Sequence, residues 1–196
     1  MKLNRLILIF SFLLFQNLSF GQNIDSLTQI KFEKFIPTEF EILDWTSGYL
    51  NKDMLKDFVL VLKSKNEDPD DFESEGYARP LIILIGKDSS QLSKKVQSDH
   101  LIYGLLEGPY AGSNFYSGIE IENYSLTISH YAGMSTRTAT STIFEFNEKH
   151  NDWFLKYHVE TIDNIYDDQD AEVLFEIKPI KQISISDFSI DEEGGF

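Results

Sequence analysis

Downstream of Pro37 the chain alternates between short apolar runs and turns rich in Asp, Asn, Gly and Pro. Residues 58–62 (Phe-Val-Leu-Val-Leu) and 81–85 (Leu-Ile-Ile-Leu-Ile) are continuously apolar and rich in β-branched side chains. Runs of this length, bounded by breakers, predict strands covered on both faces. A looser alternation over 40–45 predicts another strand. In the second half the period is two. Ile119 and Ile121 oppose Glu120 and Glu122, while Leu126, Ile128 and His130 share a face. Trp153, Leu155, Tyr157 and Val159 share another, opposed by Lys156, His158 and Glu160, and Ile183 and Ile185 repeat the pattern near the end. Successive side chains of a strand point to opposite faces, so this alternation predicts half-buried antiparallel strands. The polar stretch 147–152 reads as a hairpin loop between 143–146 and 153–159. Ahead of Pro37, Asp25 and Ser26 are placed to cap a short helix through Phe35. The expectation is a mainly β chain: a single domain of antiparallel strands in one or two packed sheets, with a short N-terminal helix. A propeller-blade-like pairing is compatible. A complete propeller is not, because four blades of four strands would need nearly every remaining residue.

The first 21 residues follow a different pattern. Lys2 and Arg5 precede an apolar run over 6–15, and Ser19 and Gly21 put small residues where a signal peptidase cuts, leaving Gln22 as the new start. Gln16 and Asn17 end the apolar run short of the roughly 20 residues needed to span a bilayer. The expected organisation is therefore a signal peptide over 1–21, a lead-in over 22–38, a β-rich domain over 39–190 and an acidic, Gly-containing tail over 191–196. The expected location is the periplasm or the outside of the cell, with no stable membrane insertion after cleavage.

Charge and cysteine usage narrow the function classes. The 196 residues carry 32 Asp and Glu against 17 Lys and Arg, a formal charge of −15. Cleavage removes two cations and no anion, leaving 175 residues and a balance of −17. A chain this acidic is not expected to bind nucleic acid, which needs clustered cations, nor anionic lipid through a polybasic patch. With no cysteine there is no disulfide, thiolate nucleophile or sulfur-ligated zinc. Much of the acidic excess sits over 66–76 and 163–172, which read as solvated loops.

The segment with most chemistry is Gly48-Tyr49-Leu50-Asn51-Lys52-Asp53-Met54-Leu55-Lys56-Asp57, followed by the apolar run from Phe58. A calcium loop places oxygen ligands at alternate positions, then a glycine for the sharp turn, then a further carboxylate. Asn51, Asp53 and Asp57 occupy three such positions. Tyr49 stands where the first carboxylate is expected, and Met54 stands at the glycine. The segment resembles the Asp-rich loop of integrin-α-like FG-GAP and VCBS repeats, and a group of uncharacterised exported bacterial proteins that carry it once. Arg79-Pro80 opening the run 81–85, Ser129-His130-Tyr131-Ala132-Gly133-Met134-Ser135, and Phe144-Glu145-Phe146 ahead of Trp153-Phe154-Leu155 extend the likeness to that group over about residues 36–190. The resemblance implies no activity. With Tyr49 and Met54 in place, calcium is an alternative to the expected role, in which Asn51 and Asp53 shape a turn by bonding to nearby backbone.

Other candidates carry less. No pair among His100, His130, His150 and His158 has the spacing of a His-Glu-x-x-His metal site, and no Gly-x-Ser-x-Gly surrounds a serine nucleophile. His130 is expected as a satisfied core or edge histidine. Arg79 and Arg137, the only arginines of the mature chain, are expected to tie to carboxylates. The glycine-rich stretch 104–118 reads as an irregular loop that could display Tyr103, Tyr110, Phe115 and Tyr116 to a protein or glycan. The residues favour an exported, non-catalytic domain with a binding or envelope role and no cofactor. A calcium-stabilised domain and an enzyme acting on an extracellular polymer are the alternatives.

Overall fold

The computed structural model describes residues 31–68, 77–88, 91–105, 107, 114–164, 172–177, 179 and 181–190, with the backbone course alone for 164 and 172–177. The signal-like segment, most of the expected helix, Tyr110 and the tail lie outside these. Residues 31–33 are helical, consistent with the end of the expected helix. Among the described residues nine strands follow: β1 (Phe40–Gly48), β2 (Asp57–Ser64), β3 (Leu81–Gly86), β4 (Leu92–Ser98), β5 (Tyr116–Glu122), β6 (Ser125–Gly133), β7 (Thr136–Asn147), β8 (Asp152–Asn164) and β9 (Glu172–Ile177). They form two antiparallel sheets in sequence order, β1-β2-β3-β4 and β5-β6-β7-β8-β9. The chain is mainly β, as its periodicity predicts. Among the described residues no helix is long and apolar enough to cross a membrane.

The two continuously apolar runs became the central strands of the first sheet. Every residue from Asp57 to Leu62 in β2 and from Leu81 to Gly86 in β3 is buried. Their two faces serve two cores. Phe58, Leu60, Leu62, Ile82 and Leu84 pack beneath Phe32 and Phe35 of the lead-in, with Phe40, Ile42 and Trp45 of β1. Val59, Val61, Leu81, Ile83 and Ile85 pack with Leu126, Ile128, Phe144, Trp153 and Leu155 of the second sheet. The lead-in is thus a third layer, which explains why these strands lack a polar face.

Bulges determine which residues face the inter-sheet core. Pairing steps from Ile42↔Leu62 to Asp44↔Val61, leaving Leu43 as an extra residue. Leu43 then joins the inter-sheet core, while Phe40, Ile42 and Trp45 face the lead-in. In β8 the pairing steps from Phe144↔Leu155 to Ile143↔Tyr157, leaving Lys156 unpaired. One extra residue reverses the side-chain phase. Trp153 and Leu155 are buried as expected, but beyond the bulge it is His158, not Tyr157, that is buried.

Ile183 and Ile185 do not extend a strand. They hydrogen-bond to Leu155 and Trp153 across an isolated bridge at Phe154↔Ser184, and the segment ends with Phe188 and Ile190 in the core. Two strands arise where periodicity gave no signal. β4 (Leu-Ser-Lys-Lys-Val-Gln-Ser) is a largely polar edge strand, in which exposed Lys94 and Lys95 suit an unpaired edge. β9 begins at Glu172, so Asp163 and Glu172 belong to strands and not to one acidic loop. The side chain of Glu67, expected to be solvated, is also largely covered, for reasons given below.

Candidate functional site

The loop between β1 and β2 is held by its own polar atoms. The Asn51 Oδ1 accepts the Asp53 N–H at 2.8 Å, and the Asp53 Oδ1 accepts the Leu55 N–H at 2.8 Å. These are two successive side-chain turns of the kind Asn and Asp form readily. Asp57 is fully buried at the start of β2. Its carboxylate accepts the Leu50 N–H at 2.8 Å and the Gly86 N–H at 3.0 Å, so it joins this loop to the end of β3. Burial raises the Asp57 pKa, against the lowering effect of those N–H groups. Met54 adopts φ 65°, the left-handed conformation for which a calcium loop uses glycine, and its side chain is 78% exposed. The turn therefore keeps its shape at a cost on the order of 1 kcal/mol. Met54→Gly is expected to raise the melting temperature by roughly 2–4 °C, read by thermal denaturation.

Asn51 and Asp53 thus each give an oxygen to the loop's own backbone, and Asp57 gives both to neighbouring backbone. Among the described residues no group of three His, Cys, Asp or Glu side chains is placed to hold a metal ion.

This loop shares one end of the molecule with two hairpin turns. Leu50 is buried, and its carbonyl accepts the Trp153 indole N–H at 2.9 Å. Lys52 reaches Glu148 of the β7–β8 turn at 2.8 Å, on the surface. Gly48 lies against β5 so closely that a Cβ would stand 2.6 Å from the Ile121 Cγ2. Between these elements is a shallow cleft of about 280 Å³, lined by Gly48, Tyr49, Ile121, Glu122, Asn123 and Tyr124. Tyr49 is 50% and Tyr124 38% exposed. Asn123 and Tyr124 form the two-residue turn between β5 and β6, with φ 50° and 62°. Positive φ at both positions is what a type I′ hairpin requires, and the second normally takes glycine. The Tyr124 carbonyl accepts the Phe146 N–H at 3.1 Å, which ties the turn to β7. A second shallow groove of about 250 Å³ runs beside Phe154 and Lys156, with no tyrosine in its lining.

Of the aromatic residues expected to be displayed around the 104–118 loop, Tyr103, Phe115 and Tyr116 are described, and each packs against neighbouring side chains. Phe115 is fully buried, stacked on the His130 ring at 5.5 Å between centroids. Tyr103 packs edge-on against the same ring at 5.0 Å. Tyr116 is in β5, and its hydroxyl donates to the Asp44 Oδ2 at 2.7 Å. Burial and the Asp44 carboxylate raise this phenol well above its ordinary range. Phe115 is therefore a core residue rather than a displayed one, because its ring covers the buried His130.

That histidine belongs to a buried polar row. His130 of β6 and His158 of β8 flank Thr140 and Thr142 of β7, with His130 Nδ1 3.2 Å from the Thr140 hydroxyl and His158 Nδ1 2.7 Å from the Thr142 hydroxyl. The Tyr103 N–H points at the His130 Nε2 at a long 3.5 Å, which assigns the ring proton to Nδ1. Burial, then the charges of His158 and Arg79, push His130 down to about 3; burial also lowers His158. Burial thus favours the neutral form of both rings in the folded protein. Their contribution to stability is complete above about pH 6.5 and is lost as pH falls toward the folded values, for His130 at up to about 1.4 kcal/mol per pH unit, with His158 adding in the same direction. Asp57 and Glu160, whose pKa values burial raises, act in the opposite sense in the carboxylate range. The loss is therefore expected between about pH 6.5 and 5 as a falling urea midpoint, with a shallower slope in His130→Gln.

Arg79, 1% exposed, completes the interior polar set. Its Nη2 and Nε hold both oxygens of Glu67, at 2.5 and 3.2 Å, and its Nη1 donates to the Asn114 Oδ1 at 2.6 Å. The carboxylate expected for Arg79 is present and comes from the segment expected to be solvated. Arg137 instead donates to the Met134 carbonyl at 3.3 Å.

No family model, curated protein or solved structure matches this chain.

Proposed function

We propose that the chain is an exported, non-catalytic β-domain that contacts a component of the cell envelope or its surroundings through the loop end. The signal-like pattern of residues 1–21 supports export. The observation that carries the contact reading is the pair of exposed tyrosines, Tyr49 and Tyr124, bordering one cleft on loops pinned by Trp153, Asp57 and Phe146. Rigid elements carrying partly exposed rings are a usual form of recognition surface. The groups with the chemistry of a catalyst are differently placed. His130 is fully buried and Arg79 is held by Glu67 and Asn114, whereas a general base has to reach a substrate. The likeness to FG-GAP-type exported proteins fits the same reading, with the Asp-rich loop serving as a self-supported platform for Tyr49.

Expression of the full chain in a secreting bacterial host is expected to yield a mature protein beginning at Gln22. Recovery of the chain from Met1 counts against export. The purified mature protein is expected to co-sediment with a bacterial envelope preparation, and Tyr49→Ser/Tyr124→Ser is expected to lose this with its circular dichroism unchanged. Equal sedimentation of both proteins, or of neither, overturns the contact reading.

A further inference from the structure

We infer that the cleft between Tyr49 and Tyr124 takes an uncharged carbohydrate, an inference that rests on the contact reading just given. Four features of the cleft point to this chemistry. Its volume of about 280 Å³ lies just below the roughly 300–1,000 Å³ of pockets for drug-sized ligands, which suits one or two sugar rings. Its lining joins two tyrosines to Glu122 and Asn123, whose carboxylate and amide are hydrogen-bonded to each other at 3.2 Å on the exposed surface. An aromatic face covers the C–H side of a sugar ring, and carboxylate, amide and phenol groups match its hydroxyls. Glu122 and the −15 formal charge disfavour an anion, and the nearby cation Lys52 is paired with Glu148. A protein partner fits less well. A standard interface covers about 800 Å² on each side around an apolar centre, while the large exposed apolar side chains at this end are Tyr49, Met54 and Tyr124.

The fourth feature is the backbone at Tyr124. A type I′ turn favours glycine at this position, because a Cβ in the left-handed region crowds the following carbonyl oxygen. The fold alone thus favours Gly over Tyr at 124, while the ring lines the cleft. Strained residues of this kind are common at ligand clamps. A stability–binding trade-off follows: Tyr124→Gly is expected to raise the melting temperature by about 2–4 °C and to weaken envelope binding by about tenfold. A residue with a purely structural role does not move the two readouts in opposite directions.

The class of ligand is tested on the envelope preparation of the sedimentation assay. One portion is oxidised with periodate, which cleaves the vicinal diols of sugars, and another is digested with protease. Carbohydrate recognition predicts that periodate abolishes binding, that protease leaves it intact, and that 0.5 M NaCl changes it less than about twofold, since no ion pair is involved. Loss of binding after protease but not periodate overturns the carbohydrate inference and leaves the contact reading standing with a protein partner. Binding that survives both treatments also overturns it, in favour of lipid. Tyr124→Gly that binds as well as the natural protein removes the tyrosine from the site and overturns the inference as stated.

Discussion

Replacing Arg79 by alanine is expected to destabilise the protein by about 3–5 kcal/mol, measured as a shift in the urea midpoint. The guanidinium is buried and holds Glu67, whose side chain is 5% exposed, through two N–H groups, and Asn114 through a third. Removing it leaves a buried carboxylate with no cation. The clasp also joins the turn after β2 to the residue two before β5, so its loss loosens the passage from one sheet to the other. Arg79→Lys keeps the charge but not the planar fork, and is expected to recover only part of the loss. Arg79→Met combined with Glu67→Leu is expected to recover most of it, because replacing a whole buried ion pair with apolar groups of similar volume is far less costly than breaking it. A change below about 1 kcal/mol in Arg79→Ala would place the ion pair among those exposed to water.

Asp57→Ala carries the second large expectation, a loss of about 2–6 kcal/mol. Each of the two buried N–H groups it satisfies, at Leu50 and Gly86, costs about 1–3 kcal/mol when orphaned. Asp57→Asn keeps one acceptor oxygen but turns an amide NH₂ toward the other N–H, so roughly half the loss is expected. Urea denaturation of the two variants gives the ordering. Indifference to both would mean that these contacts do not hold the loop.

How much of this was legible in the chain follows from how local each signal is. The runs at 58–62 and 81–85 declared buried strands because their composition is determined by cover on both sides, and the lead-in provides the second cover. The turn chemistry of Asn51 and Asp53 was legible because it acts over two residues. Non-local pairing was not. The bulge at Lys156 depends on how β8 meets β7, and it sent His158 inward against the simple alternation. Glu67 sits in a stretch whose composition reads as solvated, and its partner lies 12 residues away, at the other end of the β2–β3 connection. β4 has edge-strand composition, which periodicity cannot separate from a polar loop. Phe115 faces inward because His130 needs cover, a fact of tertiary packing. The cleft left a faint trace. Asn123-Tyr124 interrupts the alternation where a hairpin turns, and Tyr49 replaces a carboxylate in an otherwise recognisable loop.

The Asp-rich loop is closed by its own hydrogen bonds, and with Tyr49 and Met54 at two of its positions it is expected to hold its shape without a metal ion. The most direct measurement is the melting temperature of the natural protein with millimolar calcium and with a chelator, at matched ionic strength. A ligand that binds only the folded state raises stability in proportion to the logarithm of its excess over Kd. Coincident transitions are expected for the natural protein, and a calcium-dependent rise in Tyr49→Asp/Met54→Gly, which restores the missing carboxylate and the glycine. A saturable calcium-dependent rise in the natural protein would contradict this reading of the loop.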